Sequence, residues 1–429
     1  MNATIKSQTN DAVTIEVTVS LADSMLKSEE NITAALNEAG CLAAGAALER
    51  FDADGSPILI GDTKLTSKGQ YNKTYQTIWG EVAVERHVYQ SSKGGKQFCP
   101  LEKDARIILT ATPGFAKLVS SKYAELGSTK VLVDLEQNHQ RLIARSYLKN
   151  LCDAVGAVAQ AKEEAWTYAL PKITKPVTNV AVGVDGTCML LTEGGWREAM
   201  VGTISLYDEE GSRLHTIQIG ATPEYGKSTF YTRFDRELER VKQRYPDACF
   251  VGIADGATCN WNYLQSRTDL QTVDFWHATG YLGKAANAMF YDEEQEESKE
   301  IWLDQACSRL KHKIGAASRL LREMITFRES HEKIPQGKIE DLDAAISYFT
   351  NNKARMRYPR NLKENLPIGS GVTEAACKTL VKQRLCNSGM RWKEKGAAAV
   401  ISLRSLAHTD CRWNQFWNKI DQYGYPVAA

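Results

Sequence analysis

The chain has 429 residues, long enough for more than one domain, and 43% of them are hydrophobic, ample for buried cores. Lysine plus arginine number 53 against 52 acidic residues, a formal net charge of +1 that excludes a global field for polyanions, so any nucleic-acid contact has to come from local patches. No apolar run approaches the roughly 18 residues of a membrane span, and the ten cysteines contain no CxxC pair. The start, MNATIKSQTN, lacks a signal-peptide core, so the expectation is a cytoplasmic protein with reduced thiols and no membrane partner.

Residues 11–20, AVTIEVTVSL, alternate and predict a strand. Residues 22–50 predict a helix with Leu26, Ile32, Ala35, Leu36 and Cys41 on its apolar face. Residues 56–100 break into short strands between Gly/Lys turns, and His87 there reads as structural. Helix follows over 113–172. Pro113 suits a first helical position, and Ser128 is a candidate cap. The stretch 117–156 has room for a helix-turn-helix whose last helix would present Arg141, Arg145 and Lys149; a helical bundle with solvated charges fits the same residues.

From 178 the pattern turns to strands: 179–187, 197–206, 212–219, 248–254 and 271–275, with an amphipathic helix at 228–245 and helix at 258–268. Beyond 277 the chain reads as helical to about 350, interrupted by the acidic run 291–300. The order of three strands, helix, strand, helix, strand is that of a ribonuclease H-like fold. The expected class is therefore α/β: a ribonuclease H-like mixed-sheet catalytic core with an all-α insertion, preceded by an α+β N-terminal DNA-binding region. The expected divisions are an α+β region at 1–112, a helical DNA-binding region at 113–175, and the first part of the core at 176–290. A helical insertion at 291–365, the final core helices at 366–405 and a C-terminal tail at 406–429 complete it.

Three acidic residues stand out. Asp185 ends the apolar run NVAVGVDGT, Asp255 ends ACFVGIADGA, and Glu374 follows a glycine turn in PIGSGVTEAACK. Open α/β sheets place their chemistry at such strand ends. Paired divalent ions about 3.5–4 Å apart need oxygens from separate elements. Asp-Gly is also a common turn dipeptide, and an acid in a first helical turn is ordinary dipole chemistry. Glu374, Lys378 and Lys382 recur at i, i+4 and i+8, either a metal ligand beside a phosphate track or a surface salt-bridge ladder.

Basic residues cluster after Glu374 at Lys378, Lys382, Arg384, Arg391, Lys393, Lys395 and Arg404, and before it at Lys353, Arg355, Arg357, Arg360 and Lys363. Trp392 is either a base-stacking side chain or a core tryptophan. Asp274 and His277, in VDFWHATGY, either support the acids or are structural. Glu224, Tyr225 and Lys227 fall in a loop before a helix, with Lys227 a candidate phosphate contact.

The stretches GVDGTCMLLTEGGWREAMVGTISLY, IGATPEYGKSTF, VGIADGATCNW, VDFWHATGYL and IGSGVTEAACKTLVKQRLCNSGMRW resemble the Kra-type bacterial insertion-sequence transposases, a DDE family distantly related to the Mutator-like group. VAVERHVYQSSKGG, ARIILTATPGFAKLVSSKYA and DLEQNHQR extend the resemblance over nearly the whole chain, the first 40 residues least. The resemblance implies a bacterial enzyme that cuts and joins DNA. Its catalytic triad carries over onto Asp185, Asp255 and Glu374, and its aspartate-histidine element onto Asp274 and His277. The implied cofactor is two Mg²⁺ per site, with Mn²⁺ as a substitute, Asp185 bridging both ions. Lys378, Lys382, Arg384, Arg391, Trp392 and Lys393 would contact DNA. The implied partners are double-stranded DNA, as terminal inverted repeats and target, and further copies of the chain as a dimer or higher. The N-terminal region would recognise the repeats. Rival readings are a structure-specific ribonuclease H-like nuclease, a non-catalytic DNA-binding repressor and a glycosidase-like carboxylate pair.

Overall fold

The computed structural model describes residues 2–163, 165–224, 227–331 and 334–424. The protein is mixed α/β, with one mixed and two antiparallel sheets. Among the described residues no helix is long and apolar enough to cross a membrane. The chain forms two compact units, one comprising Met1–Ala169, Lys395–Ala407 and Cys411–Ala429, the other Leu170–Glu394 and His408–Asp410. The helices of 113–163 therefore cluster with the N-terminal strands, and the expected insertion at 291–365 clusters with the mixed sheet.

In the first unit, β1 (Ala3–Gln8) and β2 (Val13–Val17) form an antiparallel hairpin. Sequence patterning misses β1 because only Ala3 in it is buried. Ser24 caps α1 (Met25–Glu49), its side chain accepting from the Lys27 N–H. Ala35 is buried, but Leu26 and Leu36, expected on the apolar face, are 71% and 53% exposed. Strands β3 (Ile58–Ile60), β4 (Thr63–Gln76), β5 (Glu81–Ser91) and β6 (Gly94–Phe98) make a four-stranded antiparallel sheet in that order. His87 bonds Asp52 through both its backbone N–H and its Nδ1, a structural role.

Helices α2 (Pro100–Asp104), α3 (Pro113–Glu125), α4 (Ser128–His139) and α5 (Arg145–Glu163) follow. Gly127, not Ser128, is the cap of α4, and the Ser128 hydroxyl instead accepts from Arg145 Nε. Arg141 lies before α5. It is buried, donates to Gln76 and sits over the Phe115 ring, so it is not presented to a ligand.

The second unit is built on a five-stranded mixed sheet of β7 (Asn179–Leu191), β8 (Gly195–Tyr207), β9 (Arg213–Ala221), β10 (Cys249–Ala254) and β11 (Leu270–Val273). Its spatial order is β11-β10-β7-β8-β9; β7, β8 and β9 pair antiparallel, while β10 runs parallel to both β7 and β11. Val180, Val182 and Val184 alternate into one face, where they join Phe230, Phe234 and Leu238 of α6 (Ser228–Arg244) in the main core. Ala181, Val251 and Ile253 form a smaller core with Leu366. Both faces of the central strands are thus covered, which explains their continuous apolar runs.

Helix α7 (Thr258–Leu264) links β10 to β11, and α8 (Phe275–Met289) follows at once. Helices α9 (Glu296–His312), α10 (Ala316–Ser330) and α11 (Gln336–Asn352) extend the main core through Leu310, Leu320, Leu342 and Phe349. After α12 (Tyr358–Lys363), α13 (Gly371–Ala376) runs through a π-helical turn, Cys377–Lys382, into α14 (Gln383–Leu385). Helix α15 (Glu394–His408) lies largely in the first unit, where buried Arg404 donates to the Ala124 carbonyl and Glu125. This arginine is structural, and 395–407 is not part of the mixed-sheet unit. The expected tail contains α16 (Arg412–Tyr423), anchored by buried Phe416, Trp417 and Ile420.

Candidate active site

Parallel pairing aligns β7 and β10 so that Gly183 stands opposite Ile253. Asp185 and Asp255 each lie two residues further on, which carries both carboxylates to the same end of the parallel pair. They differ in backbone. Asp255 lies just beyond β10, and Gly256 after it has φ +115°, so here the Asp-Gly turn is real. Asp185 is not at a strand end: β7 continues to Leu191 because β8 keeps pairing beyond the point where β10 stops.

The helix carrying Glu374 is pressed against this sheet. The Thr373 hydroxyl lies 2.7 Å from that of Thr203 on β8. A Cβ on Gly183 would fall 2.0 Å from Thr373 Oγ1, so only glycine permits the approach. Asp274 fixes the start of that helix. It caps α8 by accepting the His277 N–H at 2.6 Å, and its other oxygen accepts both the backbone N–H and the hydroxyl of Ser370. Asp274 and His277 therefore belong to the start of α8 and not to β11. Ser370 Oγ also lies 2.8 Å from Glu374 Oε1. A hydroxyl has one proton to give, so the two carboxylates compete for it.

Asp255 accepts from the Ala257 N–H at 3.0 Å and from Asn260 Nδ2 at 3.2 Å, and its carbonyl accepts the Tyr348 hydroxyl at 2.7 Å. Tyr348 comes from α11 and stacks on Tyr281 at 3.8 Å, so the helices after β11 help to hold this aspartate. Asp185 accepts from the Gly186 N–H at 2.7 Å and faces the Cys377 thiol at 3.7 Å. Burial raises its pKa most, and the charges of Asp255 and Glu374 raise it further. Burial, followed by Asp185, likewise pushes the Cys377 thiol far up.

Among the described residues, ligand atoms of Asp274, His277 and Glu374 lie within 4.8 Å of one another. Asp274 is fully buried and already accepts three hydrogen bonds, which suits a support better than a ligand. Among the described residues the ligand atoms of Asp185, Asp255 and Glu374 do not form a group within 4.8 Å, but the charges of Asp255 and Glu374 both act on Asp185. The trio's donors are hard oxygens, the kind Mg²⁺ takes, and the Asp185 pKa is raised first by burial and then by the charges of Asp255 and Glu374.

Of the expected DNA contacts, Lys378, Lys382, Arg391 and Lys393 are exposed. Arg384 is 2% exposed and lies over the Trp392 ring at 5.1 Å, so it is a core residue. Trp392 bridges to the end of β7, and its indole N–H donates to the Leu385 carbonyl at 3.0 Å. It is built into the fold and is not a free stacking platform. The π-helical turn at 377–382 also breaks the regular i, i+4, i+8 stripe. Lys227 pairs with Glu198 on β8, Glu224 holds the start of α6 by accepting the Thr229 N–H, and Tyr225 lies outside the described residues.

Sequence reasoning missed Ser370, Cys377, Asn260, Tyr348 and the 70% exposed Trp276 beside His277. Ser370 had a signal, since a serine in the glycine turn just before the helix of Glu374 is a capping residue type. Tyr348 had none, because it approaches from 93 residues away. Comparison with protein-family models gives no match, and comparison with curated proteins gives none either.

Proposed function

We propose that this protein is a DDE transposase of a bacterial insertion sequence, with a ribonuclease H-like core that cleaves DNA at element ends and transfers the strands. The observation that carries this reading is the register of β7 and β10, which sets Asp185 beside Asp255 with Glu374 on a helix pressed to the same sheet. Numbered from β7, the sheet order is 3-2-1-4-5, the order that supports a ribonuclease H-like core.

Asp185, Asp255 and Glu374 would hold Mg²⁺ or Mn²⁺, which when bound makes water or a 3′-hydroxyl nucleophilic and stabilises the leaving oxygen. The protein's own part is positioning. Asn260 and Tyr348 hold Asp255, and Asp274 and Ser370 hold the helix of Glu374. Exposed Lys378, Lys382, Arg391 and Lys393 would follow the phosphates without reading sequence. Exposed Trp276 offers a face to an unpaired base. Coordinated cutting of two ends calls for at least a dimer on DNA, in the bacterial cytoplasm.

The test is cleavage of labelled DNA carrying the sequences that flank the gene, with Mg²⁺ or EDTA. Metal-dependent cuts at the element boundary are expected, with losses of roughly 10³-fold or more in Asp255→Asn and Glu374→Gln and DNA binding retained. Near-full cleavage by Glu374→Gln would sink the triad. Binding without cutting would favour a repressor, and cutting of branched DNA alone a structure-specific nuclease.

A further inference from the structure

We propose that the cavity beside the edge strand β11 is a phosphate-binding pocket, accepting either a free phosphate or pyrophosphate group or a phosphodiester of a nucleic-acid backbone. The inference needs only an oxyanion and does not rest on the transposase reading.

The cavity has a volume of about 330 Å³ and is lined by Arg355, Arg357 and Arg360 together with Asp269, Gln271 and Asn361. A water molecule occupies about 30 Å³, so a phosphate group fits with room for its neighbours. The arginines are poorly satisfied from within the protein. Each guanidinium has five N–H donors. Arg355 makes one long bond, from Nη1 to the Asn351 carbonyl at 3.4 Å, and its guanidinium carbon lies over the Trp261 ring, 4.6 Å from the centroid. Arg357 uses Nε on the Ala354 carbonyl at 3.1 Å, and Arg360 uses Nε on Glu364 at 2.9 Å. Among the described residues Arg355 and Arg357 have no ion pair, and burial alone lowers the Arg355 pKa.

Two acids reduce this charge without cancelling it: Asp269 in the lining, which also accepts the Phe250 N–H at 2.8 Å, and Glu364, paired with Arg360. Three guanidinium groups line one cavity, two of them without an ion pair among the described residues, which matches the bidentate chemistry of phosphate oxygens. The stack of Arg355 on Trp261 also fixes one fork in advance, which lowers the entropy lost on binding. Trp261, beneath Arg355, adjoins Asn260, the residue that holds Asp255, so Arg355 connects the cavity to the candidate active site.

The experiment is calorimetric titration of the full-length protein with inorganic pyrophosphate, beside a salt series of binding to a 30-base-pair duplex. The proteins are wild type, Arg355→Gln/Arg357→Gln and Arg357→Glu. Arg357 is exposed, so the last variant carries the test if loss of the Trp261 stack unfolds the double one. The expected result is pyrophosphate binding at least tenfold weaker in the variants. A duplex salt slope reduced by about 0.9 per lost contact would identify a backbone phosphodiester as the occupant, and an unchanged slope with weakened pyrophosphate binding a free phosphate ligand. Variants that melt like wild type yet keep both the pyrophosphate affinity, or its absence, and the salt slope would overturn the proposal.

Discussion

Asp185 is half-buried with Asp255 and Glu374 as like-charged neighbours, and its pKa is raised by burial first and by those charges second. A carboxyl group whose folded pKa lies above its unfolded value favours the folded state while protonated. That contribution is complete below the unfolded pKa, near 3.9, and is lost as pH rises through the raised value. Without metal, stability should therefore fall as pH climbs out of the ordinary carboxylate range. At pH 7 in EDTA, Asp185→Asn should melt at a higher temperature than wild type, and added Mg²⁺ should stabilise wild type but not the variant. Thermal melts across pH 4–8 with EDTA or Mg²⁺ check this; a variant less stable than wild type in EDTA would refute it. The aspartates themselves were legible, because each follows a β-branched run. The roles of Arg384 and Arg404 were not, because a charge count says nothing about burial, and both proved to be core residues.

Contact between the helix of Glu374 and the sheet depends on a missing side chain. Gly183→Ala would place a methyl group 2.0 Å from Thr373 Oγ1, against a threonine pair and not a flexible tip. Overpacking of this kind costs about 1–3 kcal/mol. The expected outcome is a variant with a melting temperature lower by several degrees, and with cleavage lost even where it remains folded at assay temperature. Calorimetry and the boundary-cleavage assay, run on the same preparation, separate the two effects. Strand positions in the mixed sheet were readable from apolar runs between glycine turns, with β7 from Asn179 as expected. The extension of β7 past Asp185 was not, because strand length there is set by the pairing of β8 and not by the hydrophobicity of β7. Ser128 failed as a cap because its hydroxyl is engaged by an arginine 17 residues away.

Across the whole molecule all ten cysteines are free thiols, several of them half-buried or buried, so stability does not draw on covalent cross-links. Melting with and without reductant should agree within about 1 °C, against the several degrees expected for loss of a disulfide worth about 2–4 kcal/mol. Thiol titration in denaturant should count ten. A reductant-sensitive melt or a lower count would show a cross-link. The chain divides into its two units between Ala169 and Leu170 and again between Glu394 and Lys395. Residues 395–407 leave the mixed-sheet unit because Ala397, Val400, Ile401 and Leu403 are buried elsewhere, in company set by the helices of the first unit.

Local chemistry determined much of this protein from its sequence: helix and strand periodicity, the two aspartates after apolar strands, and the glutamate after a glycine turn. These are near-neighbour properties, set by side-chain sterics and by burial on one face or both. Only the tertiary structure decided which charges are solvated, that Asp274 and Ser370 anchor the helix of Glu374, and that Tyr348 reaches Asp255 from a distant helix. Those outcomes depend on contacts between residues some 90 to 190 positions apart. Such contacts are chosen by the packing of whole elements, which no local pattern encodes.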